Sequence, residues 1–154
     1  MKFSTKEDVE APIDSVFEML CDFEMFERAA MRRGSEVQRT DTKPVPGVGM
    51  GWNAAFNLRG KRRQVEIEMV TFEKPEEMVF ECHSQGLMTL LNIELVALSK
   101  NRTRIMVVFD IKPQNLSARL LVQSLKLAKT SLTKKYKLRV AEFAKTLEQR
   151  HSRA

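Results

Sequence analysis

His83 stands two residues from Glu81 in the stretch ECHSQG, and an imidazole that titrates near neutral pH beside a carboxylate is material for a general base. The alternation around it works against that role. With Phe80 and Cys82 on the inner face of a strand, Glu81 and His83 stand on the outer one. His151 lies among polar residues close to the C-terminal end and is set aside. Tyr136, the one tyrosine, falls on an apolar helical stripe, so its hydroxyl is the better candidate for orienting a bound molecule. Ser84 and Thr89 flank Gln85-Gly86 and would add hydrogen bonds at the mouth of a cavity. Asp110 and Arg104 share the outer face of one strand and read as a surface pair. The chain spells out no Ser-His-Asp arrangement, inward pair of carboxylates, phosphate-binding glycine loop or dinucleotide fingerprint, and no cofactor is implied. Cys21 and Cys82 fit neither a metal spacing nor a CxxC pattern. They read as two reduced thiols buried like small hydrophobes, with no disulfide and no zinc site.

The elements that must position these groups follow from periodicity and turn chemistry. Residues 2 to 11 alternate as a strand with Phe3, Thr5, Glu7, Val9 and Ala11 on one face. Pro12, whose missing N–H costs nothing in the first turn of a helix, opens a short helix over 12 to 21 that carries Val16, Phe17 and Leu20. Asp22 is placed to cap a second short helix with Phe23, Phe26 and Ala30, ended by Gly34. From Ser35 the period becomes two. Six strands are predicted, over 35–41, 49–59, 63–73, 78–85, 88–99 and 102–112, and the connections KPVPGVG, LRGKRR, EKPEE, SQG and SKNRT are short enough to make the sheet antiparallel. Pro113 ends the sheet. Leu121, Leu125, Ala128, Leu132, Tyr136, Val140, Phe143 and Leu147 then recur at steps of three and four, one stripe on a final helix of about 30 residues, roughly 45 Å long. Seven strands and one long helix to cover them is an α+β, two-layer arrangement.

A chain of 154 residues is the size of one domain, read as residues 1–150 with a short polar tail over 151–154. Apolar residues at 43% and charged residues at 30% are globular values, and no apolar run reaches the roughly 18 residues that a membrane-spanning helix needs. The opening MKFSTKEDVEAP has no apolar run of signal-peptide length, so a cytoplasmic protein is expected. The net charge of +6 is concentrated at Arg32-Arg33, at Lys61-Arg62-Arg63 and from Lys134 to Arg139. One Trp and one Tyr offer few platforms for stacking bases, which disfavours nucleic acid as a partner. A transient contact with an anionic membrane surface is the partner reading that the charge leaves open.

The strand-to-helix stretch VEAPIDSVFEML, the turn VPGVGMGW and the hairpin EKPEEMVFEC resemble the START and birch-pollen-allergen superfamily, also called SRPBCC, and within it the bacterial polyketide cyclase/dehydratase-like and lipid-transport proteins. Phe23 and Phe26 stand where many members carry a Trp. The resemblance implies a helix-grip fold: two short helices after the first strand, then a curved seven-stranded antiparallel sheet wrapped around the long C-terminal helix, with a cavity between sheet and helix. Strand parity supplies candidates to line it. They are Trp52, Ala54, Phe56 and Leu58 on one strand, Val65, Ile67 and Met69 on the next, then Phe80, Cys82 and Ser84, then Leu91 and Ile93, and then Phe109. Leu125, Leu132 and Tyr136 would face them from the helix, and nine methionines suit an adaptable lining. Three functions compete on this reading: binding or transport of a hydrophobic small molecule such as a lipid, isoprenoid or polyketide-like compound; a cyclase- or dehydratase-type enzyme; and a basic adaptor for membrane surfaces or nucleic acid.

Overall fold

The computed structural model describes residues 1–153. Strand β1 (Lys2–Val9) leads into helices α1 (Ile13–Leu20) and α2 (Phe23–Arg32). Six strands follow: β2 (Glu36–Arg39), β3 (Gly51–Leu58), β4 (Lys61–Glu73), β5 (Glu77–Ser84), β6 (Leu87–Ser99) and β7 (Arg102–Pro113). Helices α3 (Leu116–Leu127) and α4 (Lys129–Arg153) complete the order. All seven strands form one antiparallel sheet in the order β1-β7-β6-β5-β4-β3-β2, so the first strand closes against the last while the others form a meander. This is the α+β arrangement that the periodicity predicts, and the helix-grip fold that the resemblance implies. At the β5–β6 turn Gly86 has a positive φ of 80°, and the Asn115 side chain fills the place where a Cβ would stand.

The predicted single final helix is instead two. Asn115 caps α3, its Oδ1 accepting the N–H of Ala118 at 2.8 Å. Ala128, at φ −103° and ψ 14°, then leaves the helical region. The break gives the two segments different neighbours, α3 packing on β7 and α4 on β1. Helix α4 continues through Arg153, so residues 151–153 are helical where a tail is expected, and Ala154 lies outside the described residues.

Two local expectations are corrected. Asp22 precedes α2 without capping it through its side chain; its carboxylate accepts from the Arg150 guanidinium at 3.1 Å and ties α2 to α4. Arg104 does not pair with Asp110, because Asp8 on the adjoining β1 strand is opposite it and accepts from its Nε at 2.8 Å.

The packed core gathers at one end of the sheet. Phe17 of α1 meets Phe72 of β4 with ring centroids 5.4 Å apart, among fully buried Val9, Met50, Met69, Met78 and Leu147. A bulge between Met69 and Thr71 sets this up: the unpaired Val70 shifts the alternation, so that Met69, opposite Phe80, and Phe72, opposite Met78, face the same side. Thr103 is a buried polar side chain in this region, and its hydroxyl donates to the Ala11 carbonyl oxygen at 2.8 Å.

Candidate ligand-binding site

Beyond the packed end, α2 touches the sheet through Phe23 and Glu27 and leaves a gap beside those contacts. Helix α2 carries Phe23, Phe26 and Ala30 toward the sheet at helical spacing, yet none of its residues is fully buried. It faces a cavity of about 310 Å3. Leu20, Phe23, Phe26, Glu27 and Ala30 form the helical wall, and Ser35 and Val37 one edge. The sheet contributes Trp52, Ala54, Ile67, Met78, Phe80, Cys82, Leu91 and Ile93. The register explains why these strand residues share a face: Trp52 lies opposite Ile67, Ile67 opposite Cys82, Phe80 opposite Leu91 and Met78 opposite Ile93.

An aromatic cluster anchors the inner end. The Phe23 ring lies edge-on to Trp52 at 5.4 Å and to Phe80 at 6.2 Å, and Trp52 and Phe80 are 6.0 Å apart. Polar groups are few. The Trp52 indole N–H donates to Glu27 Oε2 at 3.4 Å, a long bond that places one carboxylate at an otherwise apolar wall. Burial, with the Glu81 charge adding to it, pushes the Cys82 thiol up to about 11, so at neutral pH it is a thiol and not a thiolate.

Of the sixteen residues singled out by strand parity and helix stripe, the cavity brings together Trp52, Ala54, Ile67, Phe80, Cys82, Leu91 and Ile93. The rest are elsewhere. Met69 is fully buried in the packed end. Phe56, Leu58 and Val65 occupy the far half of the β3–β4 hairpin, outside the cavity wall. Ser84 spends its hydroxyl on the backbone carbonyl oxygen of Gln64 at 2.6 Å. Phe109 pairs across the sheet with Phe3, whose ring lies 5.8 Å from that of Tyr136. Leu125 is buried on α3, and Leu132 on α4 is half-buried outside the wall. The Tyr136 hydroxyl donates to the Val107 carbonyl oxygen at 2.7 Å.

No residue of α3 or α4 lines the cavity, which lies between the sheet and α2 and not between the sheet and the C-terminal helix. The predicted convergence of Trp52 and Phe80 on Leu132 and Tyr136 is therefore replaced by their packing on Phe23. Of the nine methionines, Met78 lines the cavity and Met50 and Met69 are core.

Sequence pattern does not single out the α2 wall, because Phe23, Phe26 and Ala30 look like any core-facing stripe. Nor does it single out Arg63. The register sets Arg63 opposite Phe56, and its buried Nε has no hydrogen-bond partner among the described residues. His83 and Glu81 stand outside, paired at 2.6 Å. A larger depression of about 850 Å3 lies over the outer side of β3, β4 and β5, and its lining, with residues such as Gln38, Asn53, Gln64 and Glu66, is polar where that of the α2 cavity is apolar.

Sheet, grip and cavity define a protein with the helix-grip fold of the START and birch-pollen-allergen type. Solved structures share it over nearly the whole chain. A protein from Thermus thermophilus matches with a TM-score of 0.67 at 14% identity, covering 97% of this chain and 96% of that one. The Zhui aromatase/cyclase from Streptomyces sp. R1128 matches with a TM-score of 0.66 at 12% identity, over 97% and 94%. A START superfamily protein from Mycobacterium smegmatis matches with a TM-score of 0.56 at 11% identity, over 87% and 95%. At these identities the likeness is one of fold. No protein-family model and no curated protein matches the sequence.

Proposed function

We propose that the protein binds or carries a hydrophobic small molecule of lipid, isoprenoid or polyketide-like character in the cavity between α2 and the sheet. One observation carries the reading: a pocket of about 310 Å3, open to the surface, is lined almost wholly by Phe, Trp, Leu, Ile, Val and Met side chains. Its volume falls at the small end of the range of ligand cavities. Burial of the ligand's apolar surface supplies affinity, at about 25 cal/mol per Å2 before the costs of association. The fold is shared with an aromatase/cyclase, but the wall favours binding over turnover. Its ionisable groups among the described residues are Glu27 and Cys82. Glu27 is bonded to an indole, which donates and does not relay a proton, and Cys82 is protonated at neutral pH. Two free thiols suit a reducing compartment such as the cytoplasm, and no helix among the described residues is long and apolar enough to cross a membrane.

Trp52 makes the test direct, because the only Trp of the chain is in the cavity wall. Titration with medium-chain fatty acids and with an apolar naphthalene dye should change Trp52 emission with one-to-one stoichiometry and raise the unfolding temperature, as any ligand specific for the native state does. Native mass spectrometry of the protein as purified then identifies what it carries. If Trp52 emission and unfolding temperature stay unchanged throughout the series, and nothing co-purifies, the cavity reading fails.

A further inference from the structure

We propose that the outer face of α3, continued into the first half of α4, docks onto an anionic lipid bilayer. Helix α3 is apolar on two opposite sides. Ala118, Val122 and Leu125 are buried on the side that meets β7. Leu116, Leu120 and Leu127 are 73%, 59% and 92% exposed. At 100° per residue the two sets are centred about 180° apart, so packing of α3 onto the sheet does not account for the second row. Leu138 of α4 adds a fourth exposed leucine.

The charge around this row is of one sign. From Ile111 to Ala141 there is no Asp or Glu, while Lys112, Arg119, Lys126, Lys129, Lys134, Lys135, Lys137 and Arg139 all fall within it. Their +8 exceeds the +6 of the whole chain, so the remainder carries a net charge of −2. None of the eight makes an ion pair among the described residues; of the eighteen cations elsewhere, Arg28, Arg39, Arg62, Arg102, Arg104 and Arg150 are paired and twelve are not, so what sets this segment apart is its lack of any Asp or Glu. Arg62 pairs with Glu36, and Arg63 is on the concave side of the β3–β4 hairpin, so the hairpin that the sequence suggests as the basic surface is partly spent.

Exposed leucines and unpaired cations together select the occupant. A second copy would bring like charges face to face. Nucleic acid offers phosphates but no apolar phase for the leucines. A bilayer with anionic headgroups supplies both at once, with leucines entering the acyl boundary while Arg119 and Lys126, beside the row, extend to the headgroups. The surface is separate from the cavity, and the proposal stands without it.

Co-sedimentation of the full chain with vesicles of phosphatidylcholine, alone or with one quarter phosphatidylglycerol, tests it. Partitioning should be at least tenfold stronger with phosphatidylglycerol and should weaken as salt rises from about 0.05 to 0.5 M. The triple variant Leu116→Ser/Leu120→Ser/Leu127→Ser should lose more than tenfold in partitioning with its unfolding midpoint unchanged. If that variant fails to fold, Leu127→Ser alone, at the most exposed of the leucines, should still weaken partitioning severalfold. Vesicle binding unaffected by these substitutions would reduce the surface to electrostatic adhesion and overturn the proposal. So would a concentration-dependent dimer that the leucine variants abolish, or binding to DNA in the absence of binding to vesicles.

Discussion

Tyr136 on α4 donates a 2.7 Å hydrogen bond to the Val107 carbonyl oxygen on β7, fastening the C-terminal helix to the sheet. The ring also meets Phe3 of β1 with centroids 5.8 Å apart, and burial pushes the phenol up to about 12. The hydroxyl is thus committed to the fold and not to a ligand. Tyr136→Phe should cost about 0.5 to 1.5 kcal/mol, the net worth of one such bond, in a urea unfolding experiment. Ligand titration through Trp52 should give the same affinity as the parent. A large affinity loss with little change in stability would return Tyr136 to the binding site.

Ala54 and Ala144 separate void from core. Ala54 lines the cavity, whereas Ala144 is 4% exposed and packed in the core cluster with Leu147. Ala144→Leu should overpack and destabilise by about 1 to 3 kcal/mol. Ala54→Trp inserts a larger side chain, yet it should leave the unfolding midpoint nearly unchanged and remove ligand binding, because it fills space that is already empty. Equal destabilisation by both would mean that the wall closes in solution.

Much of this architecture is legible in the residues. Turn chemistry at Gly34, Gly60 and Gly86, all at positive φ, punctuates the strands, and period-two alternation gives the face shared by Trp52, Ile67, Phe80 and Ile93. The break at Ala128 is not legible, since alanine favours helix and no Gly or Pro marks the interruption. Nor is the bulge at Val70, which changes parity without a change of residue type. The location of the cavity depends on how far α2 stands from the sheet. Pattern fixes which side Phe23 and Phe26 face, but it does not fix that distance. The partner of Tyr136 is a backbone carbonyl, which every residue possesses and no sequence singles out.

Asp41 gives the loop before β3 a pH dependence. Its carboxylate accepts two bonds of 2.9 Å from the Arg39 guanidinium, and the backbone N–H groups of Gly51 and Lys43 donate to it at 2.9 Å each. The Arg39 bonds, followed by that from Gly51, hold it well below the usual carboxylate range. A carboxyl depressed in the folded state stabilises fully above its unfolded value of about 3.9, and the contribution is lost as pH falls toward the folded value. Between about pH 5 and pH 2 the parent should therefore lose stability that Asp41→Asn does not lose, while at neutral pH the variant is the weaker of the two. Parallel pH profiles of the two unfolding midpoints would remove Asp41 from the acid response.

Cys82 reports on occupancy of the cavity. Its thiol lines the wall and is pushed up to about 11, chiefly by burial, while Cys21, also raised by burial, lies outside the wall. Only the thiolate attacks an alkylating reagent, so at pH 8 only a small fraction of Cys82 is reactive. The iodoacetamide rate at Cys82, followed by peptide mass spectrometry, should climb about tenfold per pH unit up to at least pH 10 without a plateau. A ligand seated between α2 and the sheet covers the thiol. Saturating fatty acid or dye should then slow Cys82 labelling several-fold while leaving the rate at Cys21 as it was. Equal slowing at both cysteines would indicate general tightening of the fold, and no slowing at Cys82 would place the bound molecule somewhere other than this cavity.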